Sequence, residues 1–187
     1  MKILIGTLSN RNFKPQTVES LMNLEIPCER IFAVATQGYH IAENRNWLAF
    51  KSVNENCDYL FLTDDDMIFP PNTLKKLLSY QKDIVGVACH PRNSEKKTYV
   101  TLDKVHKDNT DLPKELFECE RVGTGIMLIK TEVFKKLSWP FFAFKSDING
   151  FTLNGEDWFF CDKAREAGFK IWCDPTLSIG HIGDYIY

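Results

Sequence analysis

Three consecutive carboxylates, Asp64-Asp65-Asp66, close the apolar run Tyr59-Leu60-Phe61-Leu62-Thr63 and precede Met67-Ile68-Phe69-Pro70-Pro71. Like charges packed this tightly repel unless a cation sits among them. Oxygen ligands suit Mg2+ or Mn2+, which bind through one or two carboxylates together with the phosphates of a substrate. An extended backbone carried to the tip would send Asp64 and Asp66 to one side and Asp65 to the other. The plainer reading is an acidic turn, with Asn72 capping a helix that starts near Thr73. An acidic cluster directly after a buried-looking strand favours the metal-and-phosphate site.

Other positions carry chemistry of their own. Glu156 and Asp157, behind Asn154-Gly155, open a helix, where carboxylates also complement the helix dipole. His181 stands in Gly180-His181-Ile182-Gly183, where backbone and ligand can come close, and neutral imidazole binds Mn2+. A structural histidine is the competing reading. Arg45 lies near the start of a helix, where the dipole favours an anion, so it has a partner elsewhere or belongs to a solvated face. The glycines of Gly123-Thr124-Gly125 mark the close approach of a ligand or backbone, or a bulge.

Periodicity gives the elements that must position these residues. Strands are expected at 2–8, 31–36, 59–62 and 83–89, with helices at 17–24, 40–53 and 73–80 between them. Gly6-Thr7 marks a close approach of the first strand to something else. This alternation predicts a parallel sheet with crossover helices. Residues 90–115 are polar and irregular apart from a short strand at 98–102. They read as a loop over the carboxyl ends of the strands, where ligands bind in open α/β sheets. Residues 117–129 read as a strand broken by glycines, and 131–137 as a helix capped by Thr131. The helix opened by Glu156 stops at Gly168, and strands at 169–173 and 177–179 follow. Trp139-Pro140-Phe141-Phe142-Ala143-Phe144 supplies core aromatics, with one or two rings available as a platform under a sugar.

A chain of 187 residues, 44% hydrophobic and 26% charged, suits one soluble globular domain. Its net charge of −2 excludes a general attraction to nucleic acid or anionic membrane. No apolar run reaches membrane-spanning length, and MKILIGTLSNRN is too short and too polar after Leu8 for a signal peptide. The six cysteines are scattered without a CxxC pair, which argues against a zinc site or disulfide framework. A reduced, cytoplasmic protein is expected.

The ordered set TDDD (63–66), VGTGIMLI (122–129), GED (155–157), REAGFKIWCDP (165–175) and GHIG (180–183) resembles glycosyltransferase family 2 and its relatives of the GT-A fold. The resemblance implies a single α/β domain over 1–187, Rossmann-like, with a central, mostly parallel sheet flanked by helices. Residues 1–89 would be the nucleotide-binding half and 90–187 the acceptor and catalytic half. It also implies a hexosyltransferase-type enzyme that inverts the anomeric centre. Asp66 would ligate the metal, with Asp65 as the alternative, and His181 would be a second ligand or a diphosphate contact. Asp64 would face the ribose or diphosphate, Arg45 and Asn46 would lie near the nucleotide, and Thr7 and Ser9 would line the base pocket. Asp157 would be the general base, with Glu156 orienting it or binding the acceptor. The donor would be a nucleotide-diphosphate sugar, most commonly a UDP-sugar, and the acceptor a hydroxyl of a glycan, lipid, protein or other molecule. The chain is short for this family, so loops 90–115 and 139–155 are expected to hold the acceptor.

Such chemistry needs a cation to stabilise charge gathering on the departing diphosphate, and a carboxylate to take the acceptor proton. A nucleotidyltransferase is the nearest rival, but TLSNRNFKP after the first strand has no glycine cluster. A non-catalytic sugar-nucleotide or carbohydrate-binding domain is a second. A phosphohydrolase fits less well, because no DxDxT pattern follows Asp64.

Overall fold

The computed structural model describes residues 1–9, 13–36, 40–90, 97–102 and 104–183. Three parallel neighbours begin the chain: β1 (Lys2–Ser9), then α1 (Pro15–Met22), β2 (Glu29–Thr36), α2 (Ile41–Asn54) and β3 (Tyr59–Asp64). After a turn come β4 (Met67–Ile68), α3 (Thr73–Ser79) and β5 (Ile84–Val87). β6 (Lys97–Leu102), β7 (Val105–Asp108), β8 (Phe117–Cys119), β9 (Arg121–Val122), β10 (Ile126–Lys130) and α4 (Thr131–Lys136) follow. The last group is β11 (Lys145–Ser146), β12 (Thr152–Asn154), α5 (Glu156–Glu166), β13 (Ile171–Asp174) and β14 (Gly180–His181).

Seven strands form the central sheet in the order β2-β1-β3-β10-β5-β13-β8. Five share one direction, while β10 and β8 run against their neighbours. Strict alternation of strand and helix would put β5 beside β3. Residues 126–129 are instead buried on both faces and take the centre. Side chains alternate into two cores. Leu4, Leu60, Leu62 and Met127 pack with Leu48 of α2, Phe134 of α4 and Phe160 of α5. Ile3, Ile5, Phe61 and Leu128 pack on the other face with Leu74 and Leu77 of α3. The close approach at Gly6 is therefore internal, since a Cβ there would lie 3.0 Å from the Leu48 side chain.

Several local expectations change. The polar middle is more ordered than a loop: β6 pairs with β7 and with β9 in a small separate sheet. Residues 91–96 and 103 of that stretch lie outside the described residues. The short terminal strand falls at β14, not at 177–179. Lys130 takes the cap position of α4, and the Thr131 hydroxyl donates to the Cys57 carbonyl instead. Gly168 does stop its helix. With φ at +89° it lets its own N–H reach the Arg165 carbonyl and that of Phe169 reach Ala164. No helix among the described residues is long and apolar enough to cross a membrane.

Asp174, wholly buried at the end of β13, fastens β13 to α3. Burial alone would raise its pKa. Hydrogen bonds from the Thr176 hydroxyl and N–H and the Tyr80 hydroxyl, with Lys76 nearby, outweigh that and lower it below 3.8. A depressed carboxyl stabilises the fold above its unfolded pKa and loses that contribution as pH falls through the folded one. The stability gap between the native chain and Asp174→Asn, measured by urea unfolding, is expected to be about 1.5–3 kcal/mol at pH 6. It should close as the pH is taken below 3.8. A gap constant from pH 6 to acid would show that the charge contributes nothing.

Candidate active site

The acidic tip departs from simple alternation. β3 stays extended only to Asp64, whose N–H donates to the Gly125 carbonyl at 3.2 Å. Asp65 and Asp66 then form a turn, fastened by the Lys14 N–H on the Asp65 carbonyl at 3.0 Å. The Asp65 side chain is half-buried, while Asp66 turns inward and is almost wholly buried.

What meets Asp66 comes from the far end of the chain. β14 pairs antiparallel with β4, setting His181 opposite Met67 and Gly180 opposite Ile68. The Ile182 N–H donates to the Asp66 carbonyl at 2.8 Å and locks the register. His181 Nδ1 lies 2.7 Å from the His90 carbonyl and so carries its proton there. Its Nε2 faces Asp66 Oδ1 at 3.4 Å. An imidazole held through Nδ1–H presents Nε2 as metal-binding histidines do. Among the described residues no group of three or more His, Cys, Asp or Glu side chains is arranged to hold a metal ion. Asp66 and His181 supply two donors, which fits Mg2+ or Mn2+ completing its shell with water and substrate phosphate.

Arg45 is not on a solvated face. Its side chain is 3% exposed, Nη2 donates to Asp64 Oδ1 at 3.0 Å, and Nη1 pairs with Glu156 Oε1. One guanidinium thus ties the tip of β3 to the first turn of α5. The neighbouring Asn46 is committed elsewhere: Oδ1 accepts from the Phe141 and Phe142 N–H groups, and Nδ2 donates to the Phe142 carbonyl. It pins the aromatic segment, in which Phe142 stacks on Phe160 while Trp139 stays 61% exposed.

Asp157 sits between glycines. A Cβ on Gly155 would come within 2.9 Å of its Oδ1, and one on Gly123 would lie 3.8 Å from Oδ2 and 2.9 Å from Tyr99 Cβ. Its Oδ1 also accepts the Trp158 N–H at 2.7 Å. Arg45, Asp64, Glu156, Asp157 and His181 all line one cleft of about 360 Å3. Tyr99, Cys89 and Thr124 share the lining. The Cys89 thiol is pushed up to about 12 by burial, with the Asp64 charge second, so it is no thiolate nucleophile at neutral pH. Thr124 is buried, and its hydroxyl has no hydrogen-bond partner among the described residues. Thr7 and Ser9 are buried at the end of β1, where Thr7 is in register with Thr63 of β3 and Ser9 with Thr36 of β2. Neither lines this cleft.

Tyr99, His90 and Cys89 carry no motif in the sequence, and β6 and the residues directly after β5 bring them to the site. Thr124 stands between Gly123 and Gly125, where the sequence signal lies in the glycines.

No protein-family model matches the chain, and no curated protein does. Solved structures do. A197 from STIV superposes with a TM-score of 0.71 at 18% identity, over 98% of this chain and 87% of that one. GalNAc-T7, crystallised with UDP, GalNAc and Mn2+, gives 0.65 at 12% identity over 97% of this chain. S. aureus TarS 1-349 with UDP-GlcNAc gives 0.51 at 13% identity over 92%. The fold is GT-A-like. The chain spans 44% of the GalNAc-T7 chain and 56% of that TarS chain.

Proposed function

We propose that this protein is a metal-dependent glycosyltransferase that moves a sugar from a nucleotide-diphosphate sugar to an acceptor hydroxyl with inversion. The observation that carries the reading is the meeting of Asp64, the His181 imidazole held against the buried Asp66, and the Glu156–Asp157 pair around one cleft. UDP, UDP-GlcNAc and Mn2+ in the structures of GalNAc-T7 and TarS support a UDP-sugar as donor class.

Asp66 and His181 would hold the cation, which when bound stabilises charge on the departing diphosphate. Asp64, on the donor side, is held in place by Arg45. Asp157 takes the proton from the acceptor hydroxyl as the new glycosidic bond forms, and the bond to the diphosphate breaks on the opposite face. Glu156 acts through Arg45 to set the position of its neighbour. The Thr124 hydroxyl is placed to meet a sugar hydroxyl. Residues 1–89 serve the nucleotide and 90–187 the acceptor, which enters beside the β11–β12 hairpin with its exposed Phe151 and Leu153.

The test is turnover of a panel of nucleotide sugars with MnCl2 and simple hydroxyl acceptors. Release of nucleoside diphosphate is expected; release of pyrophosphate would mark a nucleotidyltransferase instead. Chelation with EDTA is expected to cut turnover at least about 100-fold, with recovery on adding Mn2+. Full activity after exhaustive chelation would remove Asp66 and His181 as a metal site.

A further inference from the structure

The central sheet has two outer strands, and they are finished differently. β8 is three residues long and exposes Glu118, which pairs with Lys170 at 2.7 Å. A short, charged edge discourages another strand from adding. β2 is eight residues long, and among the described residues no strand pairs with its outer side. It contains neither lysine nor proline, and Phe32 and Val34 stand 53% and 43% exposed.

The surface on either side of this edge is also apolar. Val18, Leu21, Met22 and Phe32 line a groove of about 530 Å3 between α1 and β2. Val34, Trp47, Phe50 and Trp139 line another, of about 590 Å3, on the α2 side.

We propose that a second copy of this chain adds here, β2 against β2, antiparallel about a two-fold axis, joining the two sheets into one. A strand edge is self-complementary in that arrangement. The same axis sets α1 opposite its own image on one face and α2 opposite its image on the other, so each groove meets itself. Glu29 and Arg30, the only charged residues of the strand, lie at its start. Pairing centred on Phe32 sets Glu29 against Ala35 and Arg30 against Val34 of the second copy, and no like charges oppose. The exposed halves of Phe32, Trp47, Phe50 and Trp139, with Val18, Met22 and Val34, offer on the order of 600 Å2 of apolar surface per copy. A standard interface buries about 800 Å2 per partner.

Sedimentation velocity on the whole chain tests this, over about 1 to 100 μM. A species of twice 21.6 kDa is expected to dominate at the upper end. Phe32→Arg with Val34→Lys should raise the dissociation constant at least about 100-fold, while Glu118→Ala on the opposite edge leaves it unchanged. Hydrogen exchange in the unaltered chain gives an independent readout. Residues 30–35 should exchange at least about tenfold more slowly at high concentration than at low. A 21.6 kDa species throughout, a dimer untouched by the paired substitution, or concentration-independent exchange along β2 would each overturn the proposal.

Discussion

Asp157→Asn is expected to leave donor binding within about twofold of native and to lower the rate of sugar transfer by about 10²–10⁴-fold, the range for losing a general base. The substitution is close to isosteric. Its carbonyl oxygen can still accept the Trp158 N–H, and the glycines at 123 and 155 leave the same room around it. The negative charge is removed, and with it the capacity to take a proton. Binding should therefore survive while turnover does not, read as an unchanged thermal shift with donor and Mn2+ beside a fallen kcat. A kcat within about fivefold of native would exclude Asp157 as the base and leave the cleft without a proton acceptor of the proposed kind.

The second large effect belongs to Arg45. Removing its guanidinium by Arg45→Met strands two carboxylates, Asp64 with a side chain 24% exposed and Glu156 at 10%. Breaking a buried pair on one side costs about 3–5 kcal/mol, because the remaining charge keeps its desolvation penalty without its partner. For a chain of this size that is a fall of roughly 10 °C in Tm. Arg45→Lys should not restore it, since one ammonium cannot reach two carboxylates in fork geometry. Adding Glu156→Gln to Arg45→Met should recover part of the loss by removing one stranded charge. A double variant no more stable than Arg45→Met would mean that the Glu156 pairing is not what the arginine supplies.

Legibility of the site followed the range of the interactions that build it. The strands ending at Ser9, Thr36 and Asp64 are written in apolar runs of β-favouring residues, and the helix started by Glu156 and stopped by Gly168 is written in its ends. Those are local preferences of neighbouring side chains, and they gave the α/β class and the chemistry-bearing residues. The turn at Asp65–Asp66 was harder, because an extended tip and a turn differ there only in how the next strand pairs. That pairing, β4 with β14, is a contact between distant segments that no local pattern specifies.

The sequence by itself determined which carboxylates, which imidazole and which arginine this protein has, and on which kinds of element they sit. Only the tertiary structure decided that Arg45 grips Asp64 and Glu156 together, that Asn46 holds the chain at Phe141–Phe142, and that His181 reaches Asp66. It also decided that β10 separates β3 from β5 and that β2 is left at the edge. The physical reason is the same in each case. A side chain's own type sets what it can bond to. Burial and strand register, which depend on the whole chain at once, set which partner lies within reach.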